Sequence, residues 1–472
     1  MGADSPREAC GLFGVWAPGE EVAKLIFFGL YSLQHRGQES AGIAVSDGSG
    51  ILVYKDMGLV AQVFSEATLA TLGGHLGIGH TRYSTTGSNR WENAQPAFKP
   101  TAEGGVALGH NGNLTNTREL AAMVKRGAGP KATTDSDIVA QMLSDRCGQG
   151  LEDAIAETMP LLQGAYSFVV MDEKTVYGVR DPYGVRPLVV GRLPGGGWIV
   201  TSETCALDIV GASYVRDVEP GEIVAIDEDG LRSRVFAPPQ QKLCIFEYVY
   251  LARPDSQMYD RNVHEVRREM GRLLAAESPV DADLVIGVPD TGPVAAAGFA
   301  EASGVPYGEG IVKNRYVGRT FIQPTQTIRQ VGIRLKLNPL KQTINGKRLV
   351  VVDDSIVRGN TTRQIVGMLR ESGAREVHLR ITSPPIRWPC FYGIDMATKA
   401  ELVASDLTID EIRSYVGADS LAYLSLPSLV RATGSSSEKF CRACFDGIYP
   451  IPVPEDEAEP KFVLEERTAQ RE

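Results

Sequence analysis

The sequence predicts two fold classes in one chain, an α+β domain followed by an α/β domain with a mainly parallel sheet. Three observations carry that reading. The first half is a succession of short β-branched stretches punctuated by glycine, with few helical stretches among them. The second half alternates strand-like and helix-like stretches. Between them, Phe236-Ala237-Pro238-Pro239-Gln240-Gln241 is polar and broken by proline, as linkers are. A length of 472 residues also exceeds one ordinary core.

Residues 41–45, 77–79, 105–109, 166–171 and 188–191 read as strands, and residues 22–33 and 137–144 as helices. Strands grouped in this way predict layered sheets. Beyond the linker, 284–288 reads as a buried strand, 293–302 as a helix and 348–352 as a strand. Residues 362–372 are again helical and 376–382 return as strand, which makes βαβ units. The polar, arginine-rich residues 313–338 interrupt this rhythm. A long segment of that kind inside a compact domain reads as a functional lid. From Pro452 onward the chain is acidic and proline-containing, and disorder is expected there.

Apolar residues at 43% and charged residues at 22% describe a soluble globular protein. A net charge of −10 argues against a general nucleic-acid surface, while leaving room for a local arginine cluster. No stretch approaches the roughly 18 consecutive apolar residues of a membrane span. Residues 1–9 lack the apolar core of a secretory signal, and Pro6 stands where a myristoylation motif wants Ser or Thr. Seven scattered cysteines fit a reducing cytoplasm, with thiols kept for chemistry or metal.

The strand over 348–352 ends in Asp353-Asp354 and continues through Ser355-Ile356-Val357-Arg358-Gly359-Asn360-Thr361-Thr362 into a helix. Ligands of parallel sheets sit beyond the carboxyl ends of the strands. A loop running into a helix offers free N–H groups and a dipole that favours an anion. Ser355, Asn360 and Thr361 add side-chain donors, and Gly359 permits close approach. The two aspartates repel phosphate, so their partners are ribose hydroxyls and Mg²⁺. The plainer alternative is a strand ending in solvated acids before an ordinary helix. Val288-Pro289-Asp290-Thr291-Gly292 places a second loop on the same sheet edge. With Lys313, Arg315, Arg319, Arg329 and Arg334 between them, the two loops suit a ligand phosphorylated at both ends.

Cys10-Gly11-Leu12-Phe13-Gly14 opens the first apolar run. A thiol there is either a nucleophile or a small buried hydrophobe. Its companions are His80-Thr81-Arg82-Tyr83-Ser84-Thr85, Gly109-His110-Asn111-Gly112-Asn113-Leu114 and Thr134-Asp135-Ser136-Asp137. These runs resemble the N-terminal-nucleophile glutamine amidotransferases. Gln34-His35-Arg36-Gly37-Gln38-Glu39-Ser40-Ala41-Gly42 is more particular to their phosphoribosyl branch. Val351-Val352-Asp353-Asp354-Ser355-Ile356-Val357-Arg358-Gly359 resembles the phosphoribosyl-pyrophosphate motif of type I phosphoribosyltransferases. Together with Lys313-Asn314-Arg315-Tyr316-Val317-Gly318-Arg319-Thr320-Phe321-Ile322, the chain resembles the amidophosphoribosyltransferase family over roughly residues 10–450. It departs from the family at Asn360-Thr361-Thr362, commonly Thr-Thr-Ser, and at Thr291, often Ser. Both changes keep hydrogen-bonding groups.

The resemblance implies an N-terminal-nucleophile glutaminase domain of αββα layering over 10–237 and a type I phosphoribosyltransferase domain over 242–450. It assigns Cys10 as nucleophile, Arg82 to the glutamine α-carboxylate and Asp135 to its α-ammonium. The Asn111 amide and the Gly112 N–H form the oxyanion hole. Asp353, Asp354, Ser355, Val357, Arg358, Gly359, Asn360 and Thr361 bind phosphoribosyl pyrophosphate, with Thr291, Asp353 and Asp354 meeting Mg²⁺. The implied base is the α-amino group of Cys10, whose pKa near ~8 matches a thiol near ~8.5. Residues 1–9 are therefore expected to be a propeptide. A papain-like pairing of Cys10 with His80 or His110 is the rival, and either histidine can instead be structural.

Cys441-Arg442-Ala443-Cys444 admits a redox pair, a zinc half-site or an iron–sulfur half-site. A thioredoxin-like context is missing, and Cys244 and Cys390 can complete four thiols. Residue types alone do not separate zinc from a cluster. The resemblance implies a [4Fe–4S] cluster on Cys244, Cys390, Cys441 and Cys444, with Arg387-Trp388-Pro389-Cys390 part of that pattern. Cys147 and Cys205 read as core residues. The implied reaction is the first step of purine synthesis: ammonia from glutamine displaces pyrophosphate to give 5-phosphoribosylamine. Feedback inhibition by purine nucleotides and a homotetramer or homodimer are also implied. A stand-alone glutaminase and a non-catalytic phosphoribosyl-pyrophosphate-binding regulator are the competing classes.

Overall fold

Two antiparallel sheets form from the glycine-punctuated runs of the first half. The computed structural model describes residues 10–83, 88–102, 104–124, 133–314, 333–334, 336–396 and 398–453. The first thirteen strands are β1 (Gly11–Trp16), β2 (Ser40–Ser46), β3 (Ile51–Met57), β4 (Leu76–Arg82), β5 (Ala97–Pro100), β6 (Gly105–Leu114), β7 (Gly164–Met171), β8 (Val176–Arg180), β9 (Val189–Arg192), β10 (Trp198–Thr201), β11 (Ser213–Asp217), β12 (Glu222–Asp227) and β13 (Gly230–Val235). One sheet has the order β11-β9-β10-β1-β4-β2-β3, and the other β13-β12-β8-β7-β6-β5. They stack face to face.

The residues of β1 show why. Leu12 joins an apolar layer with Ala107, Val169 and Val224 of the facing sheet, while Phe13 and Val15 pack on the helix Val22–Ser32. A strand covered on both faces must be apolar on both, and β1 is. Edge strand β3 instead alternates between half-buried and exposed residues. The helices Asp135–Arg146 and Leu151–Thr158 cover the outer face of the second sheet. The layering is thus helix, sheet, sheet, helix.

In the second half, β17 (Leu284–Gly287), β20 (Arg348–Asp353), β21 (Glu376–Ile381) and β22 (Ser420–Tyr423) form a parallel sheet in that order. Val350 and Val352 face the helices Val263–Glu277 and Gly292–Ser303, whereas Leu349 and Val351 face Asn360–Glu371 and Ile409–Val416. The short strands β14 (Leu243–Cys244) and β23 (Phe440–Cys441) pair in parallel, and β15 (Gln257–Met258) with β16 (Arg261–Asn262) and β18 (Ile311–Lys313) with β19 (Leu337–Pro339) pair antiparallel.

Most expected elements lie within about two residues of those observed, but the expected 77–79 and 105–109 extend to Leu76–Arg82 and Gly105–Leu114, and β1, β3, β5, β8, β10 to β16, β18, β19, β22 and β23 had no expected counterpart. Their short runs lack a period distinct enough to stand out. Residues 315–332 and 335 of the expected lid, and residues 1–9 and 454–472, lie outside the described residues. The chain is still ordered at the start of the expected tail: Pro452 accepts a hydrogen bond from Thr115 at 3.3 Å, because Ile451 packs into the core and is tied to Tyr392. Among the described residues, no helix is long and apolar enough to cross a membrane.

Candidate active sites

Cys10 precedes β1 and Arg82 ends β4, the strand beside it. The register of these strands brings both to one end of the sheet. Tyr83 brackets the thiol: its carbonyl accepts from Cys10 Sγ at 3.4 Å, and its N–H donates to the sulfur at 3.5 Å. A pocket there is lined by Cys10, Arg82, Gln95, His110, Gly112 and Asp135, among others. Arg82 and Asp135 are both buried. One cation and one anion in a single pocket suit the two charges of an α-amino acid.

Asp135 opens its helix, with Thr134 as the cap that accepts from Asp137 N–H. Its carboxylate accepts from the N–H groups of Leu114 and Ser136 at 3.2 and 2.8 Å. Burial alone would raise its pKa, but nearby His110 and these donors outweigh burial and hold it below the usual carboxylate range. It is therefore ionised. Burial pushes the Cys10 thiol the other way, up to about 11, with only partial relief from Tyr83 N–H and Arg82. The thiol needs a base.

Among the described residues, neither histidine is hydrogen-bonded to the Cys10 sulfur, whose hydrogen-bond partners are both on the Tyr83 backbone. His80 Nε2 donates to His110 O at 2.9 Å, and burial lowers its pKa to about 3. His110 Nδ1 lies 3.1 Å from Ser136 Oγ and 3.5 Å from Asp135 Oδ2, so the ring braces the acidic end of the pocket. Asn111 is fully buried, yet among the described residues neither its amide nitrogen nor its amide oxygen has a hydrogen-bond partner. A side chain on Gly109 would sit 3.3 Å from Leu12. Strand alternation then points Asn111 into the same space between the sheets, on the side from which Cys10 projects. An unpartnered buried amide is costly unless a ligand completes it.

The second site lies at the carboxyl ends of β17 and β20. Thr291 Oγ1 donates to Asp354 Oδ1 and Ser355 Oγ to Asp354 Oδ2, each at 2.5 Å. The two loops are therefore already joined through one carboxylate. Burial and the charge of Asp354 push Asp353 well above the usual carboxylate range. Burial also raises Asp354, partly offset by Ser355, Thr291 and the charge of Arg267. Two adjacent carboxyls that resist ionising together favour a bound cation.

Gly359 has φ +81° at the start of the helix Asn360–Glu371, a backbone position that favours glycine. Arg358 pairs with Glu401 at 3.2 Å, and Asn360 Oδ1 accepts from Tyr415 OH at 2.8 Å. The Val357 side chain is core, with its carbonyl accepting from Val403 N–H, so only its N–H is left to offer a ligand. Thr361 is half-buried in the first turn of that helix. Of the expected lid cations, Lys313 pairs with Asp290 beside the loops, whereas Arg334 turns away to Glu371. Arg315, Arg319 and Arg329 lie outside the described residues.

Cys244 and Cys441 stand in register across β14 and β23. Arg387 and Trp388 donate their N–H groups to Cys444 O, bringing Cys390 to the same place. All four thiols are free, and the charge on any one would be felt by others. Cys244, Cys390 and Cys441 each accept an N–H from the residue two further along, Phe246, Tyr392 and Ala443. Burial raises Cys244 to about 12, with Arg186 opposing it. Among the described residues, no group of three or more side chains forms a site for a metal ion. Cys147 and Cys205 lie apart, on other apolar layers.

Several residues that complete these sites carried no local signal. Gln95 accepts from His110 N–H at 2.7 Å and donates to Ser136 Oγ at 2.9 Å. Asp395 accepts from Tyr83 OH at 3.3 Å. Arg186 donates to Tyr392 O and to Glu247, which also pairs with Arg36. Arg36 gives the Gln34–Gly42 run a physical role, because it ties the two halves together.

Residues 80–208 match the family model of the glutamine amidotransferase domain. The chain is 60% identical to an amidophosphoribosyltransferase of Mycobacterium tuberculosis, over 99% of this chain and 91% of that protein. It is 53% identical to one from Synechococcus elongatus, over 99% and 96%. Among solved structures, it superposes with a TM-score of 0.90 at 45% identity on the glutamine phosphoribosylpyrophosphate amidotransferase of Bacillus subtilis complexed with ADP and GMP, covering 96% of this chain and 100% of that one. A chain 99% covered at 60% identity shares both halves and their order with these relatives, and it belongs to the amidophosphoribosyltransferase family.

Proposed function

We propose that this chain makes 5-phosphoribosylamine, glutamate and pyrophosphate from glutamine, water and 5-phosphoribosyl 1-pyrophosphate, the first step of de novo purine synthesis. Residues 10–237 act as the glutaminase and residues 242–450 as the phosphoribosyltransferase. The observation that carries the reading is the pocket that brings Cys10, Arg82, Gly112 and Asp135 together, with the buried amide of Asn111, the residue before Gly112, unpartnered among the described residues.

Glutamine enters with its carboxylate on Arg82 and its ammonium on Asp135. Once residues 1–9 are removed, the α-amino group of Cys10 takes the thiol proton. The thiolate attacks the γ-carbonyl carbon, and Asn111 and the Gly112 N–H receive the negative charge on oxygen. The C–N bond breaks, ammonia leaves with the proton returned by the amine, and water hydrolyses the thioester. In the second half, ammonia attacks C1 of the ribose as the C1–O bond to pyrophosphate breaks, and the proton shed by the new C1–NH3+ goes to the released pyrophosphate. The 355–361 loop holds the 5-phosphate, and Asp353 and Asp354 hold the ribose hydroxyls. Thr291, Asp353 and Asp354 would hold Mg²⁺, which supplies charge neutralisation for the departing pyrophosphate.

Cys244, Cys390, Cys441 and Cys444 would hold a [4Fe–4S] cluster. What supports this is that the four thiols are free, that Cys244 and Cys441 stand in register, and that Cys444 lies within electrostatic reach of the other three; the group would supply structural cross-linking and sensitivity to oxygen. A reducing cytoplasm suits such thiols. Purine nucleotides are its feedback inhibitors, and its assembly is a homotetramer or homodimer. The deciding experiment measures glutamine-dependent pyrophosphate release and sequences the amino terminus of the same sample. Full activity in a chain that retains residues 1–9 refutes the amine-base mechanism, and absence of pyrophosphate release refutes the transferase.

A further inference from the structure

Gly112 is enclosed by main chain on two sides. A Cβ on it would fall 2.0 Å from Ala165 O, the carbonyl of the neighbouring strand. From the other side comes Gly393 of the second half, where a Cβ would fall 2.8 Å from both Cα and C of Gly112. Gly393 has φ +100°, so it is glycine for two reasons: the conformation disfavours a side chain, and there is no room for one. The contact is thus backbone on backbone.

The segment around Gly393 is anchored residue by residue to the glutaminase half. Phe391 O accepts from Asn113 Nδ2 at 3.1 Å. Tyr392 O accepts twice from the buried Arg186, at 3.0 and 2.8 Å. Asp395 accepts from Tyr83 OH at 3.3 Å, and Tyr83 is the residue whose backbone brackets Cys10 Sγ. The strut therefore grips the residues on both sides of the nucleophile pocket.

We infer that Gly393 is a positioning residue for the oxyanion hole: the segment 391–395 packs against Cα, C and O of Gly112 and thereby fixes the backbone whose N–H faces the γ-carbonyl, so glutamine hydrolysis depends on the second half being docked. This rests on the reading of Cys10, Asn111 and Gly112 given above. Arg82 and Asp135 lie at the far end of glutamine from the γ-carbonyl, so the strut acts on turnover rather than on binding. Displacing a reacting geometry by about 1 Å can cost 10²-fold in rate, as can removal of one oxyanion donor.

The test is Gly393→Ala in the full chain, processed to Cys10. Glutamine hydrolysis should fall about 10²-fold in kcat, while KM for glutamine stays within about twofold. Pyrophosphate release driven by ammonium ions should stay within about twofold, and Cys10 should be alkylated by iodoacetamide at the wild-type rate. A wild-type kcat for glutamine, or an equal loss of the glutamine- and ammonium-driven reactions in a folded variant, overturns the inference. If Gly393→Ala does not fold, Asn113→Ala decides, because it cuts the tie to Phe391 without adding bulk. A selective loss of kcat supports the strut, and an unchanged kcat overturns it. Wild-type chain that fails to hydrolyse glutamine would instead overturn the underlying reading.

Discussion

Arg36 and Glu247 meet as a fully buried ion pair across the two halves of the chain, Nη2 to Oε2 at 2.6 Å. Glu247 also pairs with Arg186 at 3.2 Å, and Arg36 with the buried Glu203. Removing one partner of a buried pair leaves an uncompensated charge, typically at a cost of about 3–5 kcal/mol. Glu247→Ala should therefore lower stability by about that much. Chemical denaturation followed by probes in each half checks this, and an unchanged midpoint would count against the network.

The same network sets an acid limit. Burial alone would raise the Glu203 carboxyl, but Arg36 and His35 outweigh it and hold it well below the usual range. A depressed carboxylate stabilises the fold above its unfolded pKa, near ~4.3, and loses that contribution as pH falls toward its folded pKa. The melting temperature should hold from pH 7 to about 5 and drop below about 4. Glu203→Gln should flatten the acid side of that profile.

Burial raises the Cys10 thiol to about 11. In a chain that keeps residues 1–9, alkylation of Cys10 by iodoacetamide should be slow at pH 7 and accelerate as pH rises toward 11. Once Cys10 is terminal, glutamine turnover should rise with an apparent pKa near ~8 as the amine becomes a base. Peptide mapping of the alkylated chain and a pH–rate profile check both limbs. A fast reaction at pH 7 in the unprocessed chain would contradict the burial.

At the phosphoribosyl loops, burial and mutual repulsion raise Asp353 and Asp354. A raised carboxyl favours the fold at low pH and weakens it as pH climbs through the folded pKa. Asp353→Asn should therefore raise the melting temperature of the ligand-free chain while reducing pyrophosphate release. Asp354→Asn should abolish pyrophosphate release and leave basal glutamine hydrolysis intact. Mg²⁺ with phosphoribosyl pyrophosphate should raise the melting temperature more at pH 8 than at pH 6, as thermal-shift titrations at the two pH values will show.

For the thiols, anaerobically purified chain should be brown and carry about four irons per chain. Cys390→Ser should lose that iron. A colourless protein containing zinc and no iron would overturn the assignment of the cluster.

What was legible in the sequence lies close together along the chain. The Leu349–Val352 run showed a strand buried on both faces, and Asp353-Asp354 with Gly359 showed a ligand loop at its end. Cys10 gained meaning only from the Arg82, Asn111-Gly112 and Asp135 runs, which strand register then brings to one pocket. Gln95, Tyr83 and Asp395 carried no such local mark, because a glutamine, a tyrosine or an aspartate in a loop has many ordinary uses.

By itself the sequence pointed to the two fold classes, the candidate nucleophile with its charged companions, the paired acids and the four candidate thiols. The fold classes and the paired acids are written in hydrophobic period and turn chemistry, whereas Cys10 with its companions and the four thiols were read through the resemblance to a known family. Tertiary structure alone decided that Thr291 and Asp354 are joined, that Arg36 reaches Glu247 across 211 residues and that Tyr83 reaches Asp395 across 312. Docking of the two halves brings such residues together, and local periodicity does not encode it. That docking also changes the meaning of the pocket around Cys10: Gly112 belongs to the glutaminase in sequence, yet Gly393 of the other half closes over it.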